Sequence, residues 1–318
     1  MEKEAWTIQV HRLERQRLII CLPLAFAFLI VYFHRLAAGV VSDSIMRDFA
    51  ITRAAELGFL SSLYFYTYAA CQIPAGIFAD FYGPRRTITI AVTIAGVGAI
   101  AFGWAPNLVW LYGARLMVGL GVAFVYINII KFIAEWFRTR EFGTMCGISV
   151  FVGNIGALLA ATPLAVMVEN FGWRLSFYII GACTLLVAAG CWLMVRDRPE
   201  LCGLPAIAEV ERREGVLSSE PMPATNVVAS VRTVLGNPYT WPPFFVGACL
   251  YGVFMAFSGI WGMPYFMQVY GMSRVEAANY VMVLSAGYMV GGPLLGLLSD
   301  RARTRRLPFI GGTVLALT

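Results

Sequence analysis

The chain has 318 residues, of which 59% are hydrophobic and only 13% are charged, and its formal net charge is +6. A soluble domain of this size carries about 25% charged residues, so the composition excludes an ordinary soluble protein and predicts a membrane protein. The basic residues form neither one run nor one amphipathic face, which argues against nucleic acid as a partner.

Hydrophobic segments long enough to cross a hydrocarbon core of about 30 Å follow one another along the chain. The first follows a polar N-terminus without a signal-peptide cleavage pattern, and we expect this N-terminus to be retained. The segments cover residues 18–41, 57–79, 87–104, 108–131, 142–168, 175–195, 242–263 and 275–298, and another begins at about 307.

The connections between the segments predict the orientation in the membrane. With the N-terminus inside, 18 Lys and Arg residues fall on the inner side of the membrane and 4 on the outer side. Because cytoplasmic loops carry an excess of basic residues, this distribution favours a cytoplasmic N-terminus. We therefore predict a multi-pass protein of the cell (inner) membrane, with the lipid bilayer as its surroundings.

One stretch of the chain looks soluble and divides the rest. Residues 196–240 are rich in Glu, Arg, Pro and Ser, and we interpret them as a flexible cytoplasmic linker. The predicted fold is an all-α polytopic membrane protein. Its domains are an N-terminal six-helix bundle over 1–195, the linker over 196–240, and a partial second bundle over 241–318 with helices seven, eight and the start of nine.

A short charged phrase occurs twice, after the second helix of each half and on the predicted inner side. "GIFADFYGPRR" and "GLLSDRARTRR" match at four positions with an offset of 220 residues. A parallel duplication of one bundle explains this offset. The first copy holds Gly76, Asp80, Gly83, Arg85 and Arg86, and the second holds Gly296, Asp300, Arg305 and Arg306, with Arg303 in place of the middle glycine.

The phrase G-x-x-x-D-x-x-G-x-R-R between helices two and three, with two bundles joined by an inner linker, resembles the major facilitator superfamily. In helix four, "RLMVGLGVAF" matches the family's R-x-x-x-G-x-G pattern at Arg115, Gly119 and Gly121, and "GWR" at 172–174 is similar to the family's outer loop. The resemblance implies twelve helices in two parallel repeats, so we expect the chain to be a C-terminally truncated member. It also implies that the full-length protein acts as a monomer.

The same resemblance implies a role for the repeated phrase. In the family, the loop aspartate meets helices of the other half and holds the inward gate shut, which assigns Asp80 and Asp300 to gating. A carboxylate at a helix N-terminus or beside an arginine is stabilised by charge and hydrogen bonds. The alternative is a solvated turn whose arginines only set topology.

Two arginines lie inside predicted spans. Arg35 in helix one and Arg115 in helix four are both roughly 9–10 Å from the outer ends of their helices, at 1.5 Å per residue. An intramembrane arginine is costly unless it faces a partner or a watery cavity, so both residues are candidates for binding an anionic substrate. Snorkelling of Arg35 and a structural role for Arg115 are the alternatives.

Other polar residues in the spans are weaker candidates. His34 is the candidate proton carrier, which makes protons a candidate coupling ion, with a neutral core histidine as the alternative. Tyr64 and Tyr68 lie on one face of helix two and either line the cavity or pack against a neighbouring helix. The stretch around Asn154 either contacts the substrate or allows close packing of helices. The candidate substrate-binding residues are Arg35, Arg115, His34, Tyr64, Tyr68, Asn154 and Tyr251, and the candidate helix-packing glycines are Gly119, Gly121, Gly153 and Gly156.

Together these residues predict a secondary active transporter of a small organic anion that works by alternating access. "YFHR" in helix one is similar to organophosphate:phosphate antiporters and to anion:cation symporters of sugar acids. The antiporters add an arginine in helix seven that this chain lacks, which favours a carboxylate over a phosphate ester.

Two other functions stay open. One is a non-transporting membrane sensor with the same fold. The other is a nitrate-type anion porter, because "FVGNIGALLAATP" holds the G-N-x-G core of that motif, although the arginines of those porters in helices two and eight are missing. No catalytic grouping, metal spacing or cofactor motif occurs in the sequence, so we expect neither an enzyme nor a cofactor.

Overall fold

The structure is a computed structural model that describes residues 2–215, 233 and 235–301, and within this part of the chain every regular element is helical. In chain order the α-helices are α1 (Glu2–Val40), α2 (Ser42–Asp48), α3 (Ala54–Ala70), α4 (Gln72–Trp104), α5 (Leu108–Ala123), α6 (Val125–Trp136), α7 (Thr139–Leu159), α8 (Thr162–Met194), α9 (Ile207–Arg213), α10 (Trp241–Ala256), α11 (Gly262–Val269) and α12 (Arg274–Arg301). Two of the helices, α4 and α8, have 33 residues each and join two spans across a kink.

Hydrophobic length agrees with the predicted membrane spans. Among the described residues, five helical stretches are long and apolar enough to cross a membrane: Trp6–Val40, Gln72–Trp104, Leu108–Trp136, Thr139–Met194 and Pro238–Val269. Two of them contain a glycine with positive φ, Gly83 at +78° and Gly172 at +75°, where the helix is interrupted. These glycines fall in the predicted connections between spans two and three and between spans five and six.

Prolines explain three further interruptions that the hydrophobic pattern did not predict. Proline lacks the N–H that would bond the carbonyl four residues earlier. Pro74 leaves the carbonyl of residue 70 without its donor, and the helix is interrupted at Cys71. Pro163 follows the break between α7 and α8, and Pro264 follows the π-helical segment Phe257–Trp261 between α10 and α11.

The first six spans pack into one bundle. α4 lies against α5 and α8, α1 against α7, and α3 against α5. A buried apolar cluster near the predicted inner side includes Phe132 and Trp136 and draws only on residues before 211. A second cluster includes Phe102 and Trp173 and also takes in Ile260 and Val281 of the later helices. The described later helices therefore join the first bundle through this second cluster.

The start of the predicted linker is ordered. A 3-10 helix, Pro199–Cys202, and α9 pack on the first bundle, and Val210 is buried against it. Arg138 donates hydrogen bonds to Glu214 at 2.8 Å and to Glu14 at 3.2 Å. Residues 199–213, which fall within the predicted linker, therefore lie against the first bundle through apolar contacts and an ion-pair network.

Candidate functional site

Arg35 of α1 faces α3 and α10, and its side chain is only 6% exposed. Its Nη1 donates a 2.6 Å hydrogen bond to the hydroxyl of Tyr251 on α10. Its guanidinium also lies over the rings of Tyr32 and Tyr68, at 4.8 and 5.2 Å from their centroids. Within the described residues it forms no ion pair with a carboxylate, and its Nε has no hydrogen-bond partner. The chain therefore holds a buried cation whose charge is met only by neutral aromatic groups.

A cavity of about 320 Å³ opens between α3 and α10 beside this arginine. Ser61 and Ser62 line it from the first bundle, and Tyr251 and Trp261 line it from the later helices. Since the Tyr251 hydroxyl also accepts the hydrogen bond from Arg35, this tyrosine connects the arginine to the cavity. The cavity thus lies between the two halves of the chain, where the sequence predicted a substrate site.

Arg115 makes different contacts from Arg35. It is 1% exposed, and it donates to the backbone carbonyls of His34 at 2.8 Å and of Arg35 at 3.4 Å. Its guanidinium lies 4.5 Å from the centroid of the Tyr64 ring. Arg115 therefore fixes the part of α1 that carries Arg35, which matches the structural role that the sequence left open for it.

His34 is fully buried and faces Thr184 on α8 at 3.2 Å. The Thr184 hydroxyl donates its own hydrogen to the carbonyl of Ile180, so its oxygen accepts from Nε2 of His34. Nδ1 of His34 is buried without a hydrogen-bond partner among the described residues. This arrangement fits an oriented, neutral histidine and gives no support to a proton carrier.

Of the other predicted site residues, Tyr64 and Tyr68 lie near Arg35, whereas Asn154 packs elsewhere. Tyr64 is fully buried and stacks on Tyr68 with 6.3 Å between ring centroids, so this pair joins Arg35 to the core. Asn154 donates to the carbonyl of Val150 at 2.9 Å within α7 and is not brought to Arg35. Sequence reasoning missed Tyr32, although the i, i+3 spacing places it on the same face of α1 as Arg35.

The first copy of the repeated phrase is held by its own bundle. Asp80 pairs with Lys131 at 2.5 Å, and the backbone N–H of Arg85 donates to Asp197 at 2.7 Å. The Arg85 side chain lies over the Trp192 ring at 4.5 Å. A Cβ at Gly83 would lie 2.6 Å from the Asp197 carboxylate, so only glycine lets the turn approach so closely.

Among the described residues, Asp80 pairs with a lysine of its own bundle, and its assignment to gating stays a prediction. Sequence reasoning did not single out Asp197, whose carboxylate accepts from the backbone N–H of Arg85. Gly76 has open space beside it. Gly296 and Asp300 lie in α12, and Arg305 and Arg306 lie outside the described residues.

At the opposite, predicted outer end, ion pairs surround the short helix α2. Trp173 donates to Asp48 at 2.8 Å, and Arg174 pairs with the same carboxylate, which explains the GWR sequence. Partial burial would raise the pKa of Asp48, but the hydrogen bonds from Trp173 and Arg174 outweigh it and hold that pKa below its usual range. Asp43 pairs with Arg274 of α12 at 2.7 Å, which ties the first bundle to the later helices.

A polytopic helical bundle with a cavity and a buried arginine between its halves defines a membrane protein of the transporter type. The sequence profile of the Major Facilitator Superfamily matches residues 24–318, and the chain belongs to that superfamily. This match confirms the predicted fold class and the family resemblance, and it agrees with the expectation that the chain is not an enzyme.

Individual relatives are distant. Membrane sensor protein UhpC of Escherichia coli (strain K12) is 26% identical over 299 residues, which are 92% of this chain and 66% of UhpC. The probable sulfoacetate transporter SauU of Cupriavidus necator is 26% identical over 290 residues, 91% of this chain and 66% of SauU. The chain thus spans about two thirds of the length of these relatives.

A solved structure shares the fold. The crystal structure of a bacterial homolog of the human lysosomal transporter Spinster, inward-facing and unoccupied, matches with a TM-score of 0.71. The match has 22% sequence identity and covers 90% of this chain and 63% of that chain. At this identity the likeness establishes the arrangement of helices.

Proposed function

We propose that the chain forms the anion-binding part of a secondary active transporter for a small organic anion, with a carboxylate as the favoured group. The observation that carries the proposal is the buried guanidinium of Arg35, which has no carboxylate partner in the described part of the chain. The relative SauU is a probable sulfoacetate transporter, which adds support for an organic acid.

The physical argument rests on the cost of a buried charge. A cation inside a membrane protein marks a substrate or ion pathway, because a ligand of opposite charge then contributes the missing counter-ion. A carboxylate accepts two parallel N–H bonds from a guanidinium, and Nε of Arg35 is available for one of them. The hydroxyl of Tyr251, which accepts from Arg35 at 2.6 Å, would then turn towards the ligand.

Arg35 donates to Tyr251, which lines the cavity, and its single positive charge favours a ligand with a single negative charge. A phosphate ester carries a charge of about −1.5 to −2 at neutral pH, as a phosphorylated side chain does. α10, which supplies the opposite wall, contains no charged residue in "WPPFFVGACLYGVFMA". Arg115, the other buried arginine near the site, donates from Nη1 and Nη2 to the backbone of α1, which leaves its Nε without a partner among the described residues. A carboxylate therefore matches the available charge better than a phosphate ester.

Several features of the complete transporter belong to this proposal. We retain the N-inside orientation, the bundles at 1–195 and 241–318, and alternating access about the cavity between them. The repeated phrase around Asp80 and Asp300 would hold the inner side, and the pair of Asp43 with Arg274 would hold the outer side. Lipid and a small anionic solute are the proposed partners.

The test is ligand binding by the chain, and flux by the full-length protein, in proteoliposomes with radiolabelled small carboxylates and the matching phosphate esters. Replacing Arg35 by Gln removes a charge-assisted hydrogen bond of about 1.5–3 kcal/mol, so affinity should fall on the order of 10- to 100-fold. Arg53→Gln, at an exposed arginine before α3, is the matched control and should bind normally. Unchanged carboxylate binding in Arg35→Gln would contradict the proposal.

A membrane sensor is the second candidate, because UhpC is described as a membrane sensor protein. The ordered segment 199–213 on the cytoplasmic end of the first bundle gives this candidate a surface for a regulatory contact. The same experiment separates the two functions. A sensor binds the anion at Arg35 without flux, whereas a transporter shows both binding and flux. In a transporter, Arg35→Gln loses both.

A further inference from the structure

An apolar groove runs along the outside of the first bundle, on the side away from Arg35. It has a volume of about 290 Å³ and begins at the inner end of the bundle, beside the repeated phrase. Phe78 and Phe124 line it, with their rings edge to face at 5.7 Å between centroids. The groove is lined by Phe78, Tyr82, Arg86, Thr87, Ile90, Ala91, Ile94, Leu120 and Phe124.

Helix packing shows that this groove faces outward. Gly119 contacts Tyr64 of α3, and Gly121 contacts Ala91 of α4. Leu120 therefore points into the gap between α3 and α4, away from α1. The described later helices pack on α1, α2, α3, α7 and α8, which leaves this gap uncovered by them.

The depth of the groove matches one leaflet. On the part of α4 that follows the break at Gly83, the lining residues run from Arg86 to Ile94, which are eight residues apart. At a rise of 1.5 Å per residue this is roughly 12 Å, compared with about 15 Å for half of a hydrocarbon core. The groove therefore runs from the inner surface of the membrane almost to its middle, as an acyl chain of the inner leaflet does.

The mouth of the groove carries a cation that has no partner in the described part of the chain. Arg85 is held by Asp197 and Trp192, and Lys131 is paired with Asp80. Arg86 is exposed and forms no hydrogen bond or ion pair with any described residue. Tyr82, also exposed, places a hydroxyl at the same mouth. A basic side chain at the end of an apolar groove is complementary to a lipid with an anionic headgroup.

We propose that this groove binds one acyl chain of an anionic phospholipid from the inner leaflet, with the lipid phosphate on Arg86 and the Tyr82 hydroxyl. The proposal uses the predicted N-inside orientation but does not depend on any transported substrate. The bound lipid would brace the turn at Gly83 from the membrane side, opposite the contacts of that turn with Asp197.

Native mass spectrometry of the detergent-solubilised chain tests the proposal. Phosphatidylglycerol and phosphatidylcholine with identical acyl chains are added, and the affinity of the first retained lipid is measured. Phosphatidylglycerol should bind more tightly than phosphatidylcholine. Arg86→Gln should weaken it about five-fold, the effect of one basic residue near an anionic surface, and Arg86→Lys should restore most of the affinity.

Two further variants separate the groove from general charge effects. Arg15→Gln removes an exposed arginine at the inner end of α1 and should leave lipid affinity unchanged. Leu120→Trp fills the groove while keeping Arg86, and it should abolish the retained lipid. Equal binding of the two lipids, or equal losses in Arg86→Gln and Arg15→Gln, would overturn the proposal. A dimer that Leu120→Trp disrupts would overturn it as well, because a second copy of the chain would then be the occupant.

Discussion

Two buried arginines lie close together in the first bundle, yet their hydrogen-bond acceptors give them different roles. Arg115 donates from Nη1 and Nη2 to carbonyls of α1, which belong to the same folded bundle. Arg35 donates to Tyr251, which lies on a helix of the other half. Contacts within one rigid bundle stabilise it, whereas contacts between halves can be exchanged when a ligand enters. Of these two arginines, Arg35 is therefore the one better placed to respond to an anion.

This difference predicts opposite effects of one substitution at the two positions. Arg115→Met removes two hydrogen bonds from a charged donor, each of about 1.5–3 kcal/mol, so the apparent melting temperature in detergent should fall clearly. Arg35→Met should change the melting temperature less but abolish the stabilisation that a bound carboxylate provides. A variant Arg115→Met that melts normally and no longer binds carboxylate would show that Arg115 contacts the ligand.

At the scale of helices, small residues set how closely α1 and α7 approach. A Cβ at Gly156 would lie 2.0 Å from the carbonyl oxygen of Leu29, and one at Gly153 would lie 2.9 Å from the ring of Tyr32. Such close backbone contact is typical of helix pairs in membranes. Because Tyr32 and Arg35 lie on α1, the distance between these helices also sets the position of the arginine.

Alanine substitutions in α7 test this close approach. Gly156→Ala places a methyl group against backbone that cannot turn aside, and we expect it to cost about 1–3 kcal/mol. Gly147→Ala, on the same helix, meets nothing within 4 Å and should be neutral or slightly stabilising. The measurement is the apparent melting temperature of both variants in one detergent. Equal melting temperatures would show that α1 and α7 separate easily.

At the scale of the molecule, the sequence predicts those features whose signal lies within one segment of the chain. Hydrophobic length predicted the membrane spans. The rarity of charged residues inside such spans made Arg35 a candidate site residue. The roles of Arg115 and Asp80 could not be read from the chain, because their partners, the carbonyl of His34 and the amine of Lys131, lie 81 and 51 residues away. Such pairings depend on which faces of the helices meet, and that is settled only by packing.

The halves of the chain meet at their predicted outer ends. The apolar cluster around Phe102 continues into Ile260 and Val281 of the later helices. Arg274 adds polar contacts, with Asp43 at 2.7 Å and with the carbonyl of Val40 at 2.9 Å. The inner apolar cluster contains no residue of the described later helices. In this conformation, therefore, the described helices hold the outer side closed.

We therefore expect the ion pair of Arg274 and Asp43 to shift the equilibrium between conformations with a closed and an open outer side towards the closed one. Both side chains are about 10% exposed, and breaking a buried pair costs more than breaking an exposed pair of about 0–1 kcal/mol, because one charge loses its partner in the protein interior. Arg274→Gln removes it only from the closed conformation. A loss of about 1.4 kcal/mol there raises the ratio of open to closed molecules about tenfold.

Spin labels at positions 53 and 269, exposed at the outer ends of the two halves, report this balance by double electron–electron resonance. The labels are introduced after replacement of the seven native cysteines. Arg274→Gln should enlarge the long-distance population. Arg47→Gln is the matched control, because Arg47 also pairs with Asp43, at 3.0 Å, but is 77% exposed and lies on α2 itself. Equal distance distributions in the two variants would mean that the apolar cluster alone closes the outer side.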